Sequence, residues 1–347
     1  MRARQNKPSK AQAGGERALL ARIRDRAARG GSTAGLRLGI GDDCALLRAR
    51  AGEELAVTTD LSLAGRHFLL NAHPPEAVGH RTLARGLSDL AAMGARPLAA
   101  FLSLGLPREL TRARGRGRAW VERFMDGLMA LAESTGTPLA GGDLAESPVA
   151  VADIVLVGAV PRGRALLRSG AKPGDRIFVT GALGGSAAGL ERLVEMAGAR
   201  QSKAGRGRTA PQEGAPLAPH LFPQPRLAQG LFLERRRLAT AAIDLSDGLS
   251  TDLAHLCEES GVAAEVDDAH LPICLGATLE QALHGGEDYE LLFTAKPDAK
   301  LPRAIGGIPI TRIGRIIRAG AGKPRVQLRT RTGSRPLEPQ GWEHFSG

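Results

Sequence analysis

Ala241-Ala-Ile-Asp-Leu-Ser-Asp-Gly-Leu-Ser-Thr-Asp-Leu253 carries an apolar strand into an acidic, glycine-bearing turn and out into a helix. The strand is Ala241 to Leu245 and the turn Ser246-Asp247-Gly248. The helix runs to about Ser260, with Gly261 at its C-terminal end. Taken alone, Asp247 reads as the helix N-cap. Asp244 ends the strand, however, and turns at the carboxyl ends of strands are where α/β proteins bind ligands.

The same acidic punctuation recurs along the chain, at Gly41-Asp42-Asp43, Thr58-Thr59-Asp60, Ser88-Asp89, Gly141-Gly142-Asp143 and Gly285-Gly286-Glu287-Asp288. Glycine lets the backbone turn tightly and approach a ligand. Converging carboxylates repel one another unless cations neutralise them. Hard oxygen ligands suit Mg²⁺, which works by holding substrate phosphates. The pattern predicts a magnesium-dependent enzyme acting on phosphate compounds, with Asp43, Asp60 and Asp143 expected at strand ends.

Between these turns, strands and helices alternate. Residues 15–29 fit an amphipathic helix through Leu19, Leu20 and Ile23, and Gly39 to Leu47 a strand that meets and leaves an acidic turn. Pro74-Pro75 opens a helix that Gly94 and Pro97 stop. Trp120 to Ser134 is a second helix, with Val121, Phe124, Leu128 and Leu131 on one face. Strands are read at Leu55–Thr59, Ala99–Leu106, Val149–Val160, Arg176–Thr180, Val262–Val266, Tyr289–Thr294 and Ile313–Ile317, and further helices at Ser186–Ala197 and over 225–237. The alternation predicts a two-domain α/β or α+β architecture with mixed sheets and flanking helices. The expected divisions are a disordered basic extension over 1–13, one domain over 14–160, and a second over 161–347 with a flexible insert at 199–218.

The chain has 347 residues and a formal net charge of +11. Its basicity is local: residues 1–30, 108–118 and 200–213 carry +7, +4 and +3, so the remainder is slightly acidic. With aromatic residues at 3% and a single Tyr, base stacking has little support. A non-catalytic nucleic-acid-binding protein is therefore the weaker reading. No segment has the length and apolarity of a membrane span, and no secretory signal is visible. Cys44, Cys257 and Cys274 form neither a metal spacing nor a disulfide framework, which favours a reducing, cytoplasmic setting. Cys44 is expected to be a small buried side chain, since neighbouring carboxylates suppress its thiolate.

Several motifs fail their tests. Gly181-Ala-Leu-Gly-Gly-Ser lacks the lysine of a phosphate loop and reads equally well as close helix–strand packing. The histidines lack zinc spacing, and no Gly-x-Ser-x-Gly elbow is present. Asp89 lies near a helix C-terminus, where the macrodipole disfavours an anion. Either Arg85, four residues back, or a metal would satisfy it.

These residues also carry a resemblance. Gly39-Ile-Gly-Asp-Asp-Cys-Ala-Leu-Leu, Thr58-Thr-Asp, Gly65-Arg-His-Phe, Leu87-Ser-Asp-Leu-Ala-Ala-Met-Gly-Ala, Gly141-Gly-Asp, Arg168-Ser-Gly-Ala-Lys-Pro-Gly-Asp, Ala242-Ile-Asp-Leu-Ser-Asp-Gly-Leu and Gly285-Gly-Glu-Asp-Tyr-Glu-Leu-Leu-Phe run in family order. The chain resembles the thiamine-monophosphate kinases, within the superfamily of aminoimidazole ribonucleotide synthetase and selenophosphate synthetase. The resemblance implies ATP-dependent phosphorylation of thiamine monophosphate, several Mg²⁺ ions, and a homodimer formed by pairing N-terminal sheets. It implies a metal set of Asp43, Thr58, Thr59, Asp60, Asp89, Asp143, Asp244 and Asp247. ATP would be held by Gly142, Asp143, Arg168 and Ser246, and the thiamine phosphate by His67, Glu287 and Trp342. Leu144 and Glu146 depart from the family, which commonly has Thr and then Arg after Gly-Gly-Asp. The nearest rival is another ATP-using activity of the superfamily, a cyclo-ligase or a selenophosphate synthetase. The lack of cysteine in residues 1–38 counts against the latter.

Overall fold

Pro75 fixes the start of the helix around which both halves of the molecule assemble. The missing N–H of proline is harmless in a first helical turn, and its φ is already helical. A computed structural model describes residues 16–29, 35–40, 44–112, 118–202, 216–320 and 325–341. The expected extension at 1–13 lies outside them, as do most of the 112–118 loop and of the 199–218 insert.

The N-terminal unit begins with α1 (Glu16–Arg29), which buries Leu19 and Ile23 but leaves Leu20 exposed. A short antiparallel pair follows, β1 (Leu36–Leu38) with β2 (Leu46–Leu47). The main elements are β3 (Glu53–Leu63), α2 (Pro75–Ala92), β4 (Arg96–Leu106), α3 (Trp120–Thr135), β5 (Leu139–Glu146) and β6 (Val151–Pro161). The sheet order is β3-β6-β4-β5, antiparallel except for β4 with β5.

Two expectations about strand ends fail here. Asp60 and Asp143 lie inside strands, because β6 pairs with β3 along its whole length, from Glu53↔Pro161 to Leu63↔Val151, and β4 carries β5 through Asp143 to Glu146. Inter-strand hydrogen bonding overrides the local turn signals. At Gly142, φ is 146° and a Cβ would stand 1.9 Å from the Leu102 carbonyl oxygen, so that glycine serves close strand approach.

Helices α2 and α3 cross through reciprocal glycines. A Cβ on Gly79 would meet the Phe124 carbonyl oxygen at 1.9 Å, and one on Gly127 the Glu76 carbonyl oxygen at 1.8 Å. Gly127→Ala is therefore expected to lower the unfolding free energy by about 2–3 kcal/mol through overpacking. Urea denaturation would show a lower midpoint at an unchanged slope. An unchanged midpoint would contradict this crossing.

The C-terminal unit comprises β7 (Arg176–Thr180), α4 (Gly185–Ser202), α5 (Ala218–Leu221), α6 (Leu227–Arg236), β8 (Ala241–Asp244), α7 (Leu249–Glu259), β9 (Ala263–Asp267), α8 (Leu279–His284), β10 (Leu291–Ala295), β11 (Ala304–Ile305), β12 (Ile308–Ile317), β13 (Val326–Thr330) and β14 (Gly333–Pro336). Seven of its strands run β14-β13-β9-β12-β7-β10-β8, with β11 added to β12, and only β13–β9 is parallel. At the two ends of the expected insert, α4 continues to Ser202 and α5 starts at Ala218, and residues 203–215 lie outside the described residues.

The two units share a core. Leu87, Leu90 and Ala91 of α2 belong to one apolar cluster with Leu233 of α6, Ala242 of β8 and Phe293 of β10. That continuity holds the α2 side chains in register with the second sheet. Cys44 is exposed, contrary to expectation, while Cys257 is buried and Cys274 half-buried. No described helix is long and apolar enough to cross a membrane.

Candidate active site

Arg81, Arg85 and Asp89 recur every fourth residue on α2, so they form one stripe along the helix. Between them they reach β3 and the loop that carries Glu287. Arg81 pairs with Glu287 at 2.7 Å. Arg85 pairs with Asp60 of β3 at 2.7 Å and with Glu287 at 3.4 Å. Asp89 accepts the Thr58 hydroxyl at 2.5 Å. Beside it, Ser88 donates to Asp244 of β8 at 2.7 Å. Arg85 thus serves Asp60 and Glu287, and the hydroxyl of Thr58 takes the place expected for it beside Asp89.

These contacts frame a cavity of about 380 Å³. One wall carries Asp60, Asp89, Asp244 and Asp247, with Ser246 and Glu287 beside them, and the lining also includes the apolar side chains of Phe68, Leu69 and, from α4, Ala187, Leu190 and Val194. Five carboxylates line it against two guanidinium groups, Arg66 and Arg85. Burial pushes the Asp244 carboxyl up to about 7, and the neighbouring Asp89 charge adds to this, against the Ser88 hydrogen bond. Asp89 is raised as well, by burial and by the Asp60 charge, with Thr58 opposing. Carboxylates held this way have an unmet demand for positive charge. Among the described residues, no three His, Cys, Asp or Glu side chains close into a protein-only metal cage. The donor set fits Mg²⁺ nonetheless. It is all hard oxygen, and Mg²⁺ commonly takes one or two carboxylates and completes its octahedron with water and substrate phosphates.

Residues 41–160 match the AIR synthase related protein N-terminal domain, and residues 172–327 match its C-terminal domain. The thiamine-monophosphate kinase of Escherichia coli (strain K12) is 42% identical over 315 residues, covering 87% of this chain and 90% of that protein. The chain belongs to the thiamine-monophosphate kinase family. The crystal structure of the thiamine-monophosphate kinase from Stenotrophomonas maltophilia K279a superposes with a TM-score of 0.72 at 38% identity, covering 90% of this chain and 96% of that one. The structure of AaThiL complexed with AMPPCP and TMP gives 0.71 at 32%, covering 98% and 100%.

For this thiamine-monophosphate kinase family member, the cavity gathers Asp60, Asp89, Asp244, Asp247, Ser246, His67 and Glu287 from the residues singled out in sequence, with Thr58 bound to Asp89. The others stand elsewhere. Thr59 points to the outer face of the first sheet and donates to Asp153 at 2.9 Å. Gly142 and Asp143 line a second cavity of about 460 Å³ with Gly39, Cys44 and Phe101. Asp143 itself accepts the Leu144 N–H at 2.8 Å. Arg168 is exposed and off the cavity wall, although its charge is felt at Asp89 and Asp244. Asp43 and Trp342 lie outside the described residues.

Asp247 is not the cap of α7. Gly248 holds that position, and the Asp252 carboxylate accepts the N–H groups of Asp247 and Gly248 at 3.1 and 3.0 Å. The Gly181–Gly185 loop likewise holds an internal anion, since Asp288 accepts from Gly184 N at 2.6 Å and Ser186 N at 3.0 Å. Sequence reading missed Arg81, whose fourfold spacing to Arg85 and Asp89 was available. It also missed Ser186, His73 and His220, which nothing local marks.

Proposed function

We propose that this chain transfers the γ-phosphoryl group of ATP to the phosphate of thiamine monophosphate, giving thiamine diphosphate and ADP in a cytoplasmic setting. The observation that carries this reading is one cavity whose lining combines five carboxylates with a set of apolar side chains. A phosphate and a heteroaromatic body can lie across it. The attacking oxygen belongs to a phosphate that is already anionic near neutral pH, so in-line transfer needs no strong general base. What it needs is orientation and charge compensation. Two unit charges meeting at 4 Å repel by about 4 kcal/mol at an effective dielectric of 20. The five cavity carboxylates would add to that repulsion if uncompensated.

Asp60, Asp89, Asp244 and Asp247 are the residues that would hold Mg²⁺, with Thr58 fixing Asp89. Bound there, Mg²⁺ would neutralise the facing phosphate charges and polarise the γ-phosphoryl group. Arg81 and Arg85 hold Glu287 at the edge of the cavity, where it and His67 would meet the substrate. Ser246 would contact ATP, and Arg168 would reach its phosphates from outside the wall.

The same reading assigns residues 14–160 to nucleotide and metal binding and to dimerisation, and 161–347 to the second domain. The outer face of β3 exposes Leu55, Val57 and Leu61, with Val57 at 66%. This apolar row is the surface a second copy would cover. Within one subunit, Asp143 is three strands from Asp60, at the other edge of the sheet, and on its outer face. A second copy packed on that face would bring Gly142 and Asp143 toward its own cavity. Val57→Asp is expected to sediment as a monomer where the parent is a dimer, and an unaltered dimer would contradict the assignment.

The functional test supplies purified protein with ATP and Mg²⁺ and one of three acceptors: thiamine monophosphate, an aminoimidazole precursor, or selenide. ADP and thiamine diphosphate are expected with the first alone. ADP release with either of the others would overturn the proposal.

A further inference from the structure

Tyr289 is the single tyrosine of the chain and is 2% exposed, yet its hydroxyl has no hydrogen-bond partner among the described residues. A buried tyrosine O–H usually finds a partner, and a buried donor left unmet costs stability. The Tyr289 oxygen does not belong to the side-chain polar atoms that are sealed off without a hydrogen bond. Its residue lines the cavity, so the hydroxyl opens there.

The loop is built to aim it inward. Side chains alternate along residues 287–290. Glu287 and Tyr289 line the cavity, while Asp288 accepts the Gly184 and Ser186 N–H groups, and Glu290 accepts from Arg226 and the Thr180 hydroxyl. The two inward residues are the two with left-handed backbone, φ 65° and 52°. For a bulky side chain that conformation is strained and persists only where the surroundings enforce it. Here the Glu287 N–H donates to the Ser246 carbonyl oxygen at 2.7 Å, and the Tyr289 N–H to that of Leu245 at 2.9 Å. The fold thus maintains strain whose result is a phenol directed into the cavity.

The charged groups acting on this phenol are Arg85, Glu287, Arg81 and Asp60. Both carboxylates are taken by the two arginines, and neither accepts the phenolic proton. Burial is the largest influence on the phenol and pushes it above its ordinary range, so it remains a donor. Arg85 is the strongest of the neighbouring charges, which favours an anionic acceptor over a neutral one. A neutral donor also holds such an oxygen without adding to the five carboxylates. In the substrate, the phosphate carries oxygens of this kind, whereas the thiazolium is itself a cation.

We propose that the Tyr289 hydroxyl binds the phosphate of the substrate, donating a hydrogen bond to one of its non-bridging oxygens and so orienting it for in-line transfer. The inference rests on thiamine monophosphate being the acceptor.

Tyr289→Phe removes the hydroxyl and keeps the ring. KM for thiamine monophosphate is expected to rise about tenfold to a hundredfold with kcat little changed, as for a hydrogen bond to a charged group made in both ground and transition states. KM for ATP should be unchanged. Thiamine, which lacks the phosphate, should compete equally well against parent and variant. The urea midpoint of the ligand-free protein should not fall, because no protein group loses a partner. A purely structural hydroxyl would lower that midpoint and leave KM alone. The parent gives a second reading. Labelled with ¹³C at the tyrosine Cζ, it shows one tyrosine resonance, which thiamine monophosphate is expected to shift, with Mg²⁺ and a non-hydrolysable ATP analogue present throughout. An unmoved resonance at saturating substrate, an unchanged KM for it, a raised KM for ATP, or weaker competition by thiamine in the variant overturns the inference while leaving the reaction standing. No turnover of thiamine monophosphate by the parent overturns both.

Discussion

Asp89→Asn is expected to lower kcat at least a thousandfold while leaving the metal-free protein as stable as the parent or more so. Asparagine is nearly isosteric and can still accept the Thr58 hydroxyl, so the geometry at the end of α2 should survive. What disappears is one negative charge, in a place where burial and the Asp60 charge already hold the carboxyl above its usual range. A thousandfold loss is about 4 kcal/mol of barrier, within reach of removing one charged group that orients phosphate chemistry. The stability effect runs the other way. Asp244 has a folded pKa of about 7, above its unfolded value, through burial and then through Asp89. Its contribution is full below the unfolded pKa and is lost as pH rises through 7. Removing the Asp89 charge brings Asp244 down and flattens that loss. Chemical denaturation in chelator at pH 5 and pH 8 should therefore show a smaller difference for the variant than for the parent. Near-parental kcat would contradict the role given to Asp89, whatever the stability.

The second large effect is expected at Glu287→Gln. Arg81 is 4% exposed and Glu287 24%, so the pair is largely withdrawn from water. Burial alone would raise the Glu287 carboxyl, but Arg81 and Arg85 overcome it and hold it at about 2. Breaking a buried pair by removing one partner costs about 3–5 kcal/mol, because the other charge stays behind. Partial exposure of Glu287 brings the expected loss at pH 7 to about 2–3 kcal/mol. A carboxylate with a depressed folded pKa stabilises above its unfolded pKa and loses this as pH falls through the folded value. The gap between parent and variant in urea midpoint should therefore be full at pH 7 and narrow steadily below about pH 4.5, toward pH 2. Turnover should fall with it, since Arg85 would lose one of its two acid partners and the loop at 285–289 its tie to α2. That loop has little conformational freedom, with left-handed φ values of 65° at Glu287 and 52° at Tyr289. Equal midpoints at pH 7 would show that Glu287 is no cross-domain anchor.

The sequence marks what local physics decides. Pro75, the apolar face of Trp120 to Thr135 and the strand before Asp244 are all legible, because periodicity, proline and buried runs act within a few residues. Thr58-Thr59-Asp60 and Gly141-Gly142-Asp143 mislead for a physical reason. Their turn-forming residues are overruled by partners about ninety residues away in β6 and about forty away in β4. Asp247 illustrates the same limit at short range. It has the composition of a cap, yet Asp252 one turn later supplies the carboxylate. The four-carboxylate wall could be anticipated because each aspartate sits in a recurring acidic string. The hydrogen-bonded cluster of His73, His220 and Ser186 could not, since it joins residues 147 and 34 positions apart with no shared motif.

The most direct test is a crystal structure of this protein with a non-hydrolysable ATP analogue, Mg²⁺ and thiamine monophosphate. Metal ions bonded to Asp60, Asp89, Asp244 and Asp247, with the two phosphate groups facing each other across them, are the expected result. Phosphates bound away from that wall, or divalent ions with none of those four carboxylates in their coordination shells, would contradict the account.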